Sequence, residues 1–88
     1  MTTTNDFNKI WGNILQCQGE VFHTITGLEF KYEIINNKLC HNRTKYKIPK
    51  DSFEKAFGML PLKKLSQINF LYGYSYIFAV LNDKRIND

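Results

Sequence analysis

The sequence predicts an α+β fold: an N-terminal helix, a three- or four-stranded antiparallel meander, and two C-terminal helices packed on one face of the sheet. Three observations carry that expectation. Leu28, Phe30, Tyr32 and Ile34 alternate with Glu29, Lys31 and Glu33, which is the period of a half-buried strand. Before it, Phe7, Ile10, Trp11 and Ile14, with Leu15 beside them, follow the spacing of an amphipathic helix. After it, Phe53, Ala56, Phe57 and Leu60 repeat that spacing. The chain has 88 residues, too few for two separate cores, so residues 1–88 read as a single small domain. An apolar content of 43% is enough to build one.

Taken in order, residues 1–4 read as a frayed tail. Thr4 or Asn5 can cap the first helix, Asp6 suits its first turn, and Gly19 can end it in a left-handed conformation. Gly12 costs that helix about 1 kcal/mol relative to alanine, and its place beside Trp11 suggests close packing on a neighbour. Residues 20–25 are rich in β-branched and aromatic types, and Thr26-Gly27 supplies a turn into the alternating strand. Asn36-Asn37 tolerates the positive φ of a tight hairpin. Lys38 to Asn42 then returns as a third strand, and Lys45 to Ile48 adds a short fourth.

Ile48-Pro49 closes the sheet, because proline cannot donate to a ladder. Asp51 and Glu54 have capping-box spacing, and Gly58 and Pro61 limit the second helix to two or three turns. Leu62 to Leu71 suits a loop or a short helical turn. Ser75 is an N-cap for a final helix from Tyr76 to about Asp83, with a buried strand as the competing reading.

Met1-Thr2-Thr3-Thr4 has neither the basic nor the apolar stretch of a signal peptide, and the longest apolar run, Tyr76 to Leu81, is too short to span a bilayer. A cytoplasmic protein is the expectation. Cys17 and Cys40 then read as free thiols, and the glycosylation acceptor Asn42-Arg43-Thr44 as coincidence. The net charge of +4 is modest, but its distribution is uneven. From Ile34 to Lys50 stand Lys38, Arg43, Lys45, Lys47 and Lys50, and no acid.

That basic stretch is the first candidate site. In a continuous strand Arg43, Lys45 and Lys47 share a face that can meet phosphates, and Tyr46 or Tyr32 could stack on an unpaired base. Edge-strand lysines that prevent aggregation are the plainer reading. The second candidate is the run Phe70, Tyr72, Tyr74, Tyr76, Phe78, which with Lys84-Arg85 could form a protein-binding patch or simply fill the core. Metal and cofactor sites find little support. Cys17, His23, Cys40 and His41 lack knuckle spacing, and there is no glycine-rich phosphate loop. Catalysis finds none either. Ser75 lacks the following glycine of a nucleophile elbow, and Glu29 and Glu33 share a solvated strand face.

Three segments together resemble a small uncharacterised bacterial domain found alone or attached to larger proteins. They are Phe22-x-Thr24-x-x-Gly27-x-x-Phe30-x-Tyr32, Ile48-x-Lys50-x-x-Phe53, and Gly73-x-Ser75-Tyr76-Ile77-x-Ala79-Val80-Leu81-x-Asp83-x-Arg85-Ile86. The resemblance spans residues 10 to 86 and implies bacterial or phage origin, with no settled activity. Where that domain often carries proline, this chain has Tyr74. The recurring residues have scaffold roles, which leaves function to the basic surface. The expectation is a non-catalytic nucleic-acid-binding domain using Lys38, Arg43, Lys45, Tyr46, Lys47 and Lys50. The alternative is a protein-interaction module, an adaptor or inhibitor, using Tyr72, Tyr74, Tyr76 and Arg85 or an exposed sheet edge.

Overall fold

A computed structural model describes residues 3–43 and 45–87 of the chain. Its elements run α1 (Thr3–Gln16), β1 (Phe22–His23), β2 (Glu29–Phe30), β3 (Tyr32–Ile35), β4 (Lys38–His41), β5 (Lys47–Pro49), α2 (Lys50–Phe57), a 3-10 turn (Leu65–Gln67) and α3 (Tyr74–Leu81). This is the α+β architecture the pattern predicts, with one difference in the sheet. The meander is split at Lys31 into a two-stranded ribbon β1-β2 and a three-stranded sheet β3-β4-β5, both antiparallel. The alternation of side chains survives the break: Phe30 and Tyr32 stay buried on either side of exposed Lys31. Asn42 bridges the interruption, its Oδ1 accepting from Lys31 N–H at 3.0 Å while its own N–H donates to Lys31 O at 3.1 Å.

The turns form where the sequence places them. Asn36 and Asn37 carry φ of 53° and 59°, and Gly27 has φ 88°. Gly19, at φ 84°, follows the end of α1, and its N–H donates to Tyr32 O at 3.0 Å. The register Ile34↔Leu39↔Ile48 sets one row of apolar side chains across all three strands. With Tyr32 and His41 they form the inner face, and the helices cover it. Trp11 of α1 meets Phe53 of α2 at 5.8 Å between ring centres, and Phe7 meets Phe57 at 5.5 Å. The Tyr32 hydroxyl reaches through the core to donate to Ile14 O at 2.6 Å. The outer face, with Glu33, Ile35, Lys38, Cys40, Lys47 and Pro49, carries no helix, and only Cys40 of these is partly buried.

Several expectations are corrected. Helix α1 already includes Thr3, Thr4 and Asn5, so neither Thr4 nor Asn5 caps it from outside; of the expected tail, Met1 and Thr2 lie outside the described residues, as does Thr44 of the glycosylation acceptor. Gly12 faces open space and makes no close approach. Helix α2 starts one residue before the expected capping box, at Lys50, with Pro49 as N-cap and no side-chain cap. Lys50 N–H donates instead to Asn37 O at 2.9 Å, and Asp51 sits within the first turn, paired with Lys55 at 3.3 Å. Ser75 is inside α3. The N-cap is Gly73 in a left-handed conformation, and Tyr74 holds the first helical position, where proline would also fit.

Candidate functional site

The six residues expected to touch nucleic acid do not form one ribbon. Strand β4 stops at His41 and β5 begins at Lys47, so Arg43 and Lys45 ride on the connection between them. The shared strand face imagined for Arg43, Lys45 and Lys47 does not exist, because the chain turns before it can be continuous. Lys38 and Lys50 lie at the opposite end of β4, about 10 Å away at the usual strand rise. There Lys50 Nζ sits 5.6 Å from the Trp11 ring centre. The sheet therefore divides the set into Arg43, Lys45, Tyr46 and Lys47 at one end and Lys38 and Lys50 at the other.

At the first end the two candidate regions converge. Tyr46, from the β4–β5 connection, meets Tyr72 edge-on at 5.0 Å. Together with His41, Tyr74, Ser75 and Tyr76 they line a cleft of about 340 Å³. Tyr46 and Tyr72 remain 62% and 58% exposed, whereas Tyr74 and Tyr76 are partly buried. The Tyr72 phenol has a raised pKa, from desolvation first and then from the Tyr46 phenol beside it.

Gly73 makes this meeting possible for two reasons. Its φ of 72° suits glycine, and a Cβ there would stand 2.6 Å from Ile48 Cδ1. The absent side chain lets the tyrosine run close onto β5.

The floor of the cleft is closely packed. His41 is 95% buried, being 5% exposed, and its ring stacks on Tyr76 at 3.8 Å with an interplanar angle of 23°. Phe30 meets Tyr76 edge-on at 4.9 Å and 89°. His41 Nδ1 accepts the Arg43 backbone N–H at 3.3 Å, which leaves the proton of the neutral ring on Nε2. Burial favours that neutral form and lowers the His41 pKa.

The cations of the β4–β5 connection make no ion pair among the described residues. Arg43 Nε donates to Glu29 O at 2.7 Å, a backbone contact that leaves its charge uncompensated. The ion pairs among the described residues are His23–Glu29, Lys55–Asp51, Arg85–Glu20 and Arg85–Asp83, and none involves Arg43, Lys45 or Lys47.

Arg85 does not join the tyrosines. It is bound at the far side of α3, where it donates to Asp83, Glu20 and Val21 O and covers the Phe22 ring at 4.0 Å. The exposed sheet edge is also partly occupied, since Gln18 Oε1 accepts Ile34 N–H at 2.7 Å and Gly19 covers Tyr32 O. Cys17 and Cys40 are free, one buried and one half-buried. Among the described residues no three His, Cys, Asp or Glu side chains are grouped to hold a metal, and no helix is long and apolar enough to cross a membrane.

No family model, curated protein or solved structure matches this chain.

His41, Gly73 and Ser75 are the site residues that sequence reasoning missed. The sequence offers His41 as a metal ligand and as a residue interleaved with the basic segment, and Ser75 as a nucleophile or cap, and neither as part of a tyrosine cleft. Alternation of tyrosines around a glycine was the available signal, but the partner of Tyr72 lies 26 positions away in the chain.

Proposed function

We propose that this chain is a non-catalytic domain that binds nucleic acid through the end of its sheet built by the β4–β5 connection. One observation carries the reading: exposed Tyr46 and Tyr72 close a cleft at the end of the sheet where the chain also carries Arg43 and Lys45, with Lys47 on the outer face of β5, and among the described residues none of the three is in an ion pair. Cations at a phosphate backbone with aromatic rings between them are what sequence-tolerant nucleic-acid binding uses. Lys38 and Lys50, at the other end of the sheet, are outside this contact. A cytoplasmic setting and a bacterial or phage origin belong to the same proposal.

The test is a fluorescence-polarisation titration with labelled oligonucleotides at two salt concentrations. Three phosphate contacts give a log–log salt slope of about −2 on single strands, so affinity falls about 20-fold between 50 and 200 mM salt. Arg43→Ala with Lys45→Ala reduces that slope to about −0.7 while circular dichroism stays unchanged. Absence of binding to any oligonucleotide at low salt rejects the reading.

A second reading has an observation of its own. Phe70 is 65% exposed and lines a neighbouring hollow with Tyr72 and Tyr74, a surface that also suits a protein partner. Such an adaptor or inhibitor interface is nearly indifferent to salt.

A further inference from the structure

We infer that the tyrosine cleft receives one unstacked nucleobase, so that the ligand is a single-stranded or locally unpaired strand and not an intact duplex. The inference rests on the nucleic-acid reading above and specifies its ligand. Its first support is the kind of surface exposed. In a duplex each base has both faces covered by its neighbours, and only an unpaired base offers a free π-face to a side chain. Tyr46 and Tyr72 meet edge-on at 68°, and each stays more than half exposed although the core beneath them is already closed by Phe30, Tyr76 and Ile48. Burial energy gives no reason for two tyrosines to remain there, while stacking on a base is worth about 1–3 kcal/mol.

The second support is size. A cleft of about 340 Å³ is at the small end of ligand cavities, which begin at roughly 300 Å³. It is large enough to take a planar ring. The third is the number of cations. Arg43 and Lys45 precede Tyr46 on the β4–β5 connection and Lys47 follows it on the outer face of β5, a set that offers a few phosphate contacts near one inserted base. They are too few to follow both strands of a duplex.

The fourth is preorganisation. His41 is held by stacking on Tyr76, by the edge of Phe30 at 6.2 Å and by the Arg43 N–H, so the floor needs no ordering on binding. His41 and Ser75 both line the cleft, and with Nδ1 accepting the Arg43 N–H the imidazole keeps a donor at Nε2. These are polar groups suited to the edge of a base whose face lies against the tyrosines.

The experiment compares three labelled probes at one ionic strength: a 12-nucleotide single strand, the same sequence as a duplex, and that duplex with a single-base bulge. The single strand and the bulged duplex are expected to bind at least tenfold tighter than the intact duplex. Tyr46→Ala and Tyr72→Ala are each expected to cost about tenfold for the single strand. Tyr46→Phe and Tyr72→Phe should keep the affinity. In the unmodified protein, ring protons of Tyr46 and Tyr72 should shift upfield when the single strand is added, a readout independent of any variant.

Equal affinity for single strand and duplex, or loss with Arg43→Ala and Lys45→Ala but none with the alanine changes at the tyrosines, overturns the cleft assignment and spares the broader reading. Failure of every oligonucleotide, or tyrosine-dependent capture of a proline-rich peptide in their place, overturns both.

Discussion

The two arginines of this chain sit in opposite circumstances. Arg85 holds Asp83 through paired bonds of 2.9 Å each, reaches Glu20 at 3.1 Å and Val21 O at 2.9 Å, and lies over Phe22. It ties the end of α3 to the start of β1, and its charge is fully spent inside the molecule. The guanidinium holds the Asp83 carboxyl below its ordinary pKa, chiefly by hydrogen bonding, and is itself made harder to deprotonate. Among the described residues the Arg43 side chain makes one hydrogen bond, to a backbone carbonyl, and no ion pair. One corner is closed by the fold and the other is left available. An interaction site is expected where charge and aromatic surface are not already used for stability.

The largest expected effect comes from the residue that builds the open end. Gly73→Ala sets a Cβ against Ile48 at 2.6 Å in a backbone conformation that disfavours side chains. Strain and overpacking together cost about 3 kcal/mol, visible as a lower urea midpoint. Gly19 has a comparable φ of 84° but open space around it, so Gly19→Ala costs only about 1 kcal/mol. Equal costs for the two variants would show that the close approach to Ile48 plays no part.

Next come the arginines themselves. Arg85→Ala removes several bonds, at least two of them charge-assisted, and a cation–π contact; allowing for its 38% side-chain exposure, it should destabilise the fold by about 2 kcal/mol. It should leave oligonucleotide affinity untouched. Arg43→Ala should shift stability by no more than about 0.5 kcal/mol and weaken binding several-fold. Urea unfolding and polarisation, measured on both variants, read the two losses separately. If both variants lose stability and neither loses affinity, the distinction between a spent and an available charge fails.

The same distinction explains what could be read from the sequence. Local patterns reported local structure well: the alternation through Phe30 and Tyr32, the helical stripes of α1 and α2, and the Asn36-Asn37 turn are each set within a few residues. Caps were read less well. The Lys50 amide finds Asn37 O, and Gly73 starts α3 because of Ile48, so tertiary contacts moved both helix starts upstream of the local signal. The site was legible only in halves. Arg43, Lys45, Tyr46 and Lys47 stood in one segment and the tyrosines in another. Nothing in either segment encodes the meeting of Tyr46 with Tyr72. It follows from the sheet register and from a glycine whose use depends on a distant isoleucine.

The two ends should also separate by pH, and this is the smallest of the expected effects. His41 is buried, with Phe30 and Tyr76 against its ring and the Arg43 amide on Nδ1, and its pKa is lowered from 6.5 by desolvation. The unfolded chain therefore takes up this proton more readily than the folded one. The contribution is fully present above 6.5 and is lost as the pH falls below that value, so stability should rise with pH just beneath neutrality. Asp83 is depressed from 3.8, so its contribution is present above that pH and lost as the pH falls through the folded value. Urea midpoints taken between about pH 7.5 and pH 5 should fall in the parent protein, and less steeply in His41→Phe. Asp83→Asn should lower the midpoint at every pH in that range without changing the slope. A His41→Phe variant with the parent's full slope would place the titrating group elsewhere, and the packed floor of the cleft would then lose its pH signature.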